Sequence, residues 1–537
     1  MIQNGEINDW ILLASADDTY LDYWKGRINN LVPHTEEFPR LLSIVNARWD
    51  KRSTLESAKD QLSTAAQPPI LMIVDAKLRA MSEQYDAGCA AIELLKWLTF
   101  RAPAPALITT IKPPDPVLCY ALQHPEVFIW TAELGEPCSP VELATVLSSL
   151  ATGVSNRRLI LEVGEQCMKY RLQVGSCTFA SDEMPYQKRN RIIDEIARFK
   201  RLQEKKADGN EELLYNLRDI GKRAFDLMVF DSLGAPISDL ILRACDDEYW
   251  SRADRASRLD LRLEFDVSNL LGSELFCLPL ELGSHHSSID SVLCTSIPMA
   301  RRVRMPMKRS TTANTSAVRK RFGPLRVLFL GVDASGVVSI QPEDGSRRLP
   351  SSDIQPLQSV NLERANLNSL ELSRRLEVVE VPPLAGMALL DEVRKMLLES
   401  HYDILHFSGH SISIGEDSTF LIIPGCKAGK SEQLSIRQVG QWMKDGNCKL
   451  LVLSSCTGAS VRTAVEVMRA GAEGVLAFRW EVEEKSCARF IDYFYHAYVE
   501  VFDNEGVPEA YRRACASARA EIGGTPTWAS AVAVVND

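Results

Sequence analysis

YDILHFSGH (402–410) and KLLVLSSCTG (449–458) decide how the chain folds. Each is a short, unbroken apolar run that stops abruptly on serine, glycine and one chemically active side chain. An unbroken run, unlike an alternating one, suits a strand covered on both faces, as in a parallel sheet flanked by helices. Working outward, LRVLFLG (325–331), EVVEV (377–381), GVLAF (474–478) and WASAVAVV (528–535) repeat the pattern. Helical segments lie between most of these runs, and a hairpin-like TFLIIPG (419–425) interrupts one crossover. Residues 325–537 therefore read as a wound α/β core.

Upstream the pattern changes. RRLILEVG and KYRLQVG predict paired strands, NRIIDEIARFKRLQEKK and LLYNLRDIGKRAFDLMVF predict amphipathic helices, and LDLRLEFDV alternates as a half-buried strand does. Residues 153–310 thus read as a mixed α+β segment. The run 301–326 holds nine Lys or Arg around a polar centre and reads as an exposed basic loop, with 311–324 as a linker. Residues 1–152 return to alternation. WILLAS (10–15), ILMIVD (70–75), ALITTI (106–111) and VFIWT (127–131) predict strands, and CAAIELLKWLTF (89–100) and SPVELATVLSSL (139–150) predict helices.

Length and composition bound the function. The 537 residues need about two to four domains. With 45% hydrophobic and 25% charged residues the composition is that of a globular protein, and no apolar run reaches the about 18 residues of a membrane span. Neither a secretion signal nor a membrane partner is expected. The formal charge of −10 argues against direct nucleic-acid binding. The 13 cysteines show no C-x-x-C spacing, so a zinc site or disulfide framework is not expected, and a reducing, cytoplasmic setting is. Nothing calls for a cofactor or a metal.

The chemistry sits at the strand ends. Wound sheets place reactants at the C-terminal ends of their strands, and consecutive strands are commonly neighbours. That pattern brings His410 and Cys456 within reach of one another. An imidazole can take a thiol's proton and later protonate a leaving amine. A helix beginning near Ser460 favours a thiolate at Cys456 through its N-terminal dipole, and Gly409 and Gly458 let backbone N–H groups approach an oxyanion. A strand-end cysteine is more often a small buried hydrophobe, and a histidine there more often structural. His401 precedes its strand and His406 alternates with Leu405 and Phe407, which predicts a packed side chain.

YDILHFSGH, LLVLSSCTG, GAEGVLAFRWEVEEKSCARFIDYFYHAYVE, VPEAYRRACASARA and TPTWASAVAVV together resemble the CHAT domain, a group of caspase-like cysteine peptidases of clan CD related to separases and metacaspases. LPLEL (278–282) stands where the family typically has LPWEL. The resemblance implies a caspase-like sheet, with His410 as general base and acid and Cys456 as nucleophile. It also implies an oxyanion hole at the backbone of Cys456 and the Gly409-His410-Ser411 turn. Trp480 would line the cleft, and Glu481, Glu483 and Glu484 would offer acids to a basic P1 side chain. Two positions depart from the pattern. Ser411 replaces the common glycine, which strains a turn that needs positive φ. Ser454 stands where metacaspases carry the aspartate that binds basic P1 residues.

Residues 8–150 resemble a response-regulator receiver, a flavodoxin-like fold. Asp17 and Asp18 match its acidic pair, Asp75 its phosphoacceptor, and Thr109 or Thr110 its switch hydroxyl. Glu136-Pro137 stands where the receiver has lysine and proline, so a docking module is expected and not a phospho-switch. The expected function is a regulated cysteine endopeptidase acting on a protein substrate under a regulatory partner, of the kind found in bacterial defence or cell-death systems. A catalytically silent scaffold and a receiver-controlled signalling protein are the alternatives.

Overall fold

The unbroken apolar runs at 71–75, 404–408, 450–454, 474–478 and 531–535 become buried strands, while the EVVEV strand is mostly half-buried. A computed structural model describes residues 10–15, 19–32, 47–65, 69–75, 89–99, 106–109, 127–130, 157–174, 177–181, 183–204, 210–233, 235–245, 259–283, 292–304, 323–338, 352–371, 375–414, 418–427, 429–455, 460–480, 482–502 and 506–536. They fall into two units. One comprises Met1–Leu159, Arg171–Ser181 and Gly234–Leu259, and the other Ile160–Tyr170, Asp182–Leu233 and Asp260–Asp537. Among the described residues no helix is long and apolar enough to cross a membrane.

In the first unit the strands are β1 (Trp10–Ala14), β2 (Arg48–Arg52), β3 (Leu71–Asp75), β4 (Ala106–Thr109) and β5 (Val127–Trp130), with helices α1 (Thr19–Asn29), α2 (Leu55–Thr64) and α3 (Cys89–Thr99). The sheet order is β2-β1-β3-β4-β5, with every pair parallel. This is the doubly wound 2-1-3-4-5 order, whose direction reverses between β1 and β3. Ile11–Ala14 and Leu71–Val74 are fully buried, as strands covered on both faces must be. Beyond β1 and at the end of β3, Ser15 Oγ donates to Asp75 Oδ2 at 3.1 Å. Thr109 is the register partner of Asp75. Asp17, Asp18, Thr110 and the helix expected at 139–150 lie outside the described residues.

The second unit holds Ile160–Val163 of β6 (Arg157–Val163), Cys167–Tyr170 of β7 (Cys167–Val174) and Asp260–Asp266 of β8 (Leu259–Asp266), and the whole of β9 (Met299–Arg304), β10 (Leu325–Gly331), β11 (Gly336–Val338), β12 (Ser352–Ile354), β13 (Leu376–Glu380), β14 (Ile404–Ser408), β15 (Ser411–Ile414), β16 (Ser418–Pro424), β17 (Lys430–Ser435), β18 (Leu450–Ser454), β19 (Gly474–Phe478) and β20 (Ala531–Val535). Its helices are α4 (Arg189–Glu204), α5 (Asn210–Phe225), α6 (Leu270–Cys277), α7 (Ser359–Glu371), α8 (Gly386–Glu399), α9 (Ile436–Asp445), α10 (Val461–Arg469), α11 (Glu484–Val501) and α12 (Gly506–Ile522). The main sheet is mixed and runs β13-β10-β14-β18-β19-β20-β9-β8-β6-β7. Pairs from β13 to β19 are parallel, and β20 is antiparallel to β19. A smaller sheet, β12-β11-β17-β16-β15, buries Ala334, Val338, Ile354, Phe420 and Ile422 against one another.

Two expectations for this region are corrected. The basic run does not begin as an exposed loop at 301: β9 is an interior strand, parallel to both β20 and β8, and Arg301 is fully buried. Its guanidinium donates to Glu281 Oε2 at 2.7 Å and lies over the Phe265 and Phe276 rings. The sheet thus passes without a break across the division expected near 310, while 305–322 lie outside the described residues. Nor is β8 half-buried. Leu261, Leu263 and Phe265 are inaccessible, and so nearly are Arg262 and Glu264. These polar positions are tolerated because they are paired, Arg262 with Asp260 and Glu264 with Arg302 and Arg304.

Candidate active site

Strands β14 and β18 are parallel and in register from Ile404↔Leu450 to Ser408↔Ser454, with all five residues of each buried. The pairing continues one step further, since Gly409 N donates to Ser454 O at 3.2 Å. Glycine at 409 is a packing requirement. A Cβ there would sit 2.6 Å from Val332 Cγ2 and 2.8 Å from Phe407 Cζ. Ser411 opens β15, and its backbone does not have positive φ, so serine carries none of the strain expected of it.

His410 lies at the tip. Its Nε2 is 2.7 Å from the Gln355 carbonyl oxygen, and its own carbonyl accepts Ile422 N at 2.9 Å. A carbonyl only accepts, so Nε2 carries the proton and Nδ1 is left as the ring's acceptor. Gln355 follows β12 directly, so the smaller sheet sets the orientation of the imidazole. Sequence reasoning missed this contact because a main-chain oxygen has no side-chain signature.

The described chain stops at Ser455 and resumes at Ser460, so Cys456, Thr457 and Gly458 lie outside it. Ser460 caps α10, its Oγ accepting Thr463 N at 3.0 Å, and it meets Thr419 Oγ1 at 2.7 Å. The helix start expected near Ser460 is therefore present and tied to β16.

Beneath the tips lies a buried polar cluster. Glu363, on α7, is 1% exposed; its Oε2 is 3.0 Å from His406 Nε2, and its Oε1 accepts Ser454 Oγ at 2.5 Å. His406 Nδ1 is 3.1 Å from the Tyr495 hydroxyl, and the two rings stack. Burial, followed by the charge of Glu363, pushes the Tyr495 phenol well above its ordinary range, so the hydroxyl stays protonated and is able to donate a hydrogen bond to Nδ1. Ser454 Oγ also meets Cys487 Sγ at 3.3 Å. Ser454 thus turns its side chain into the core. His406 is packed, as expected, but against polar partners.

The remaining candidates have separate partners. Trp480 N donates to Ser530 Oγ at 3.2 Å, and its ring meets Phe199 edge-on at 6.5 Å. Its Nε1 is buried and has no hydrogen-bond partner. Glu484 Oε2 accepts Gln358 N at 2.8 Å and Ser359 N at 3.1 Å, which caps α7. Glu483 Oε2 accepts Ser486 Oγ at 2.7 Å. Glu481 lies outside the described residues. Arg479, just before Trp480, donates to Glu281 Oε2 at 2.5 Å, so Arg301, Glu281 and Arg479 form a buried triad. Burial alone would raise the Glu281 carboxyl, but the Arg301 and Arg479 guanidiniums outweigh it and hold it below its usual range. Sequence reasoning noted LPLEL as a motif but did not foresee this task for its glutamate.

Residues 272–534 match the family described as the CHAT domain. Two crystal structures of the Saccharomyces cerevisiae separase–securin complex are similar to the chain. One gives a TM-score of 0.37 at 10% identity, covering 74% of this chain and 32% of that one. The other gives 0.35 at 10% identity, covering 84% and 34%. The chain therefore spans about a third of the length of these structures, 32% and 34%. No curated protein matches it.

Proposed function

Since residues 272–534 carry a CHAT domain, we propose that the chain is a regulated, caspase-like cysteine endopeptidase in which His410 and Cys456 cleave a protein substrate. The observation that supports this best is the 2.7 Å contact between His410 Nε2 and the Gln355 carbonyl. It occupies the nitrogen that holds the proton and leaves Nδ1 as the base. The register of β14 with β18 is consistent with the pairing, because His410 and Cys456 each follow the Ser408↔Ser454 pair by two residues.

In this reading Nδ1 of His410 takes the proton from the Cys456 thiol, and the thiolate attacks the scissile carbonyl carbon. The oxyanion is held by the backbone N–H of Cys456 and by an N–H of the turn that follows Gly409, whose own N–H is taken by the Ser454 carbonyl. Collapse breaks the C–N bond, and His410 returns its proton to the departing amine. Water, deprotonated by the same imidazole, then hydrolyses the thioester and frees Cys456. Regulation by a protein partner, a cytoplasmic setting and a role in bacterial defence or cell death belong to the same proposal, with the N-terminal sheet as a docking module. The test is incubation with candidate partner proteins, comparing wild type with Cys456→Ala and His410→Ala by mass spectrometry of the fragments. Cleavage by wild type alone supports the proposal, and equal cleavage by a folded Cys456→Ala protein ends it.

A further inference from the structure

The peptidase reading leaves the buried cluster under the tips without a task. Three of its members have no reason to be polar if they only fill the core. His406 and Ser454 sit inside fully buried strands, and Glu363 lies on the inward stripe of α7 with Val360, Leu367 and Leu370. Burying a carboxylate is costly unless each of its oxygens is used. Here each is, and the two partners belong to the two strands that lead to the candidate dyad.

We infer that Glu363 is a positioning residue for the dyad, a carboxylate clamp that joins the strand of His410 to the strand of Cys456 from below; this rests on the peptidase reading. The hydrogen bonds run in one direction. The Tyr495 hydroxyl donates to His406 Nδ1, which fixes the tautomer, and His406 Nε2–H donates to Glu363 Oε2. Ser454 Oγ donates to Glu363 Oε1 and accepts from Cys487 Sγ–H. The backbone of Ser454 meanwhile holds Gly409 N at 3.2 Å. One residue therefore fixes Ser454 by its side chain, while the carbonyl of Ser454 fixes the residue before His410. The clamp is itself anchored, because the Glu484 carboxylate caps the start of α7. An anchored helix holds Glu363 at a set depth, and through it the separation of the two tips.

The probe is iodoacetamide, with alkylation read at the Cys456 peptide by mass spectrometry across a pH series. It follows the thiolate and needs no substrate. In wild type, Cys456 should react well below the free-thiol range of about 8.5. His410→Ala should return the profile to that range, which tests the dyad by itself. Glu363→Ala should shift the profile the same way and slow the reaction at neutral pH by about tenfold or more, the scale of a misplaced catalytic group. Ser454→Ala should give a smaller shift of the same sign. Glu363→Gln should restore most of the rate, because its amide can accept from His406 and donate to Ser454. Circular dichroism reports whether each variant is folded. If Glu363→Ala does not fold, Ser454→Ala decides. A profile that His410→Ala moves and the folded Glu363 and Ser454 variants leave unchanged overturns the clamp alone. A profile that His410→Ala also leaves unchanged removes the dyad and the clamp with it.

Discussion

Two of the buried polar clusters among the described residues of the second unit have opposite character. Arg301–Glu281–Arg479 is an ionic triad joining β9, the LPLEL turn and the end of β19. Tyr495–His406–Glu363–Ser454 is a chain of hydrogen bonds with a single carboxylate, lying under the ends of β14 and β18. In the triad two cations share one anion, so the anion is indispensable and the cluster acts as a fastener between sequence regions far apart. In the chain Tyr495 donates to His406, and Glu363 accepts from His406 on one side and Ser454 on the other, so the load is shared among several neutral donors, single deletions are milder and the geometry can serve the residues above it. The difference separates a fastener between distant stretches of sequence from a cluster that, in the proposed clamp, aims His410 and Cys456.

The largest expected effect is on the triad. Glu281→Ala leaves two guanidiniums buried without their anion and should destabilise the fold by about 3–5 kcal/mol, measured by urea unfolding. pH sharpens the point. Glu281 is held below its usual range in the folded state, so its stabilisation is complete above the unfolded value of about 4.3 and fades as the pH falls through the folded one. The gap in stability between wild type and Glu281→Gln should narrow on acidification below about pH 4. A gap that widens there would contradict the assignment.

Smaller effects probe the hydrogen-bond chain. Tyr495→Phe removes the donor to His406 and should cost about 1 kcal/mol, or about 2–4 °C in the melting midpoint. A loss as large as that of Glu281→Ala would erase the distinction between the clusters. Glu484→Ala removes the cap of α7 and should cost about 0.5–1 kcal/mol, with a modest slowing of Cys456 alkylation. The smallest effect is expected in the first unit. Magnesium with beryllium fluoride should leave the thermal midpoint of the chain unchanged, since Glu136 stands where a receiver carries its lysine. Stoichiometric modification of Asp75 by acetyl phosphate, with a change in peptidase activity, would overturn the docking reading.

What the sequence disclosed follows from which forces it writes down. The strands at 325–331, 404–408, 450–454 and 474–478 were legible because unbroken apolar runs admit few other readings. The edge strand β2, RWDKR, was not, because an edge strand with charged side chains lacks that signal. The sequence of β9 reads as loop because the partner that makes its arginine buriable, Glu281, is supplied from elsewhere in the chain. Glu363 left a trace that could have been followed, a lone carboxylate at an apolar stripe position of SVNLERANLNSLE. The Gln355 carbonyl left none.

The most direct measurement of the central claim is the pH profile of Cys456 alkylation in wild type and His410→Ala. The account predicts a reactive thiolate below neutral pH that is lost with the imidazole. A Cys456 that titrates as a free thiol in both proteins, in a chain that is folded, would contradict it.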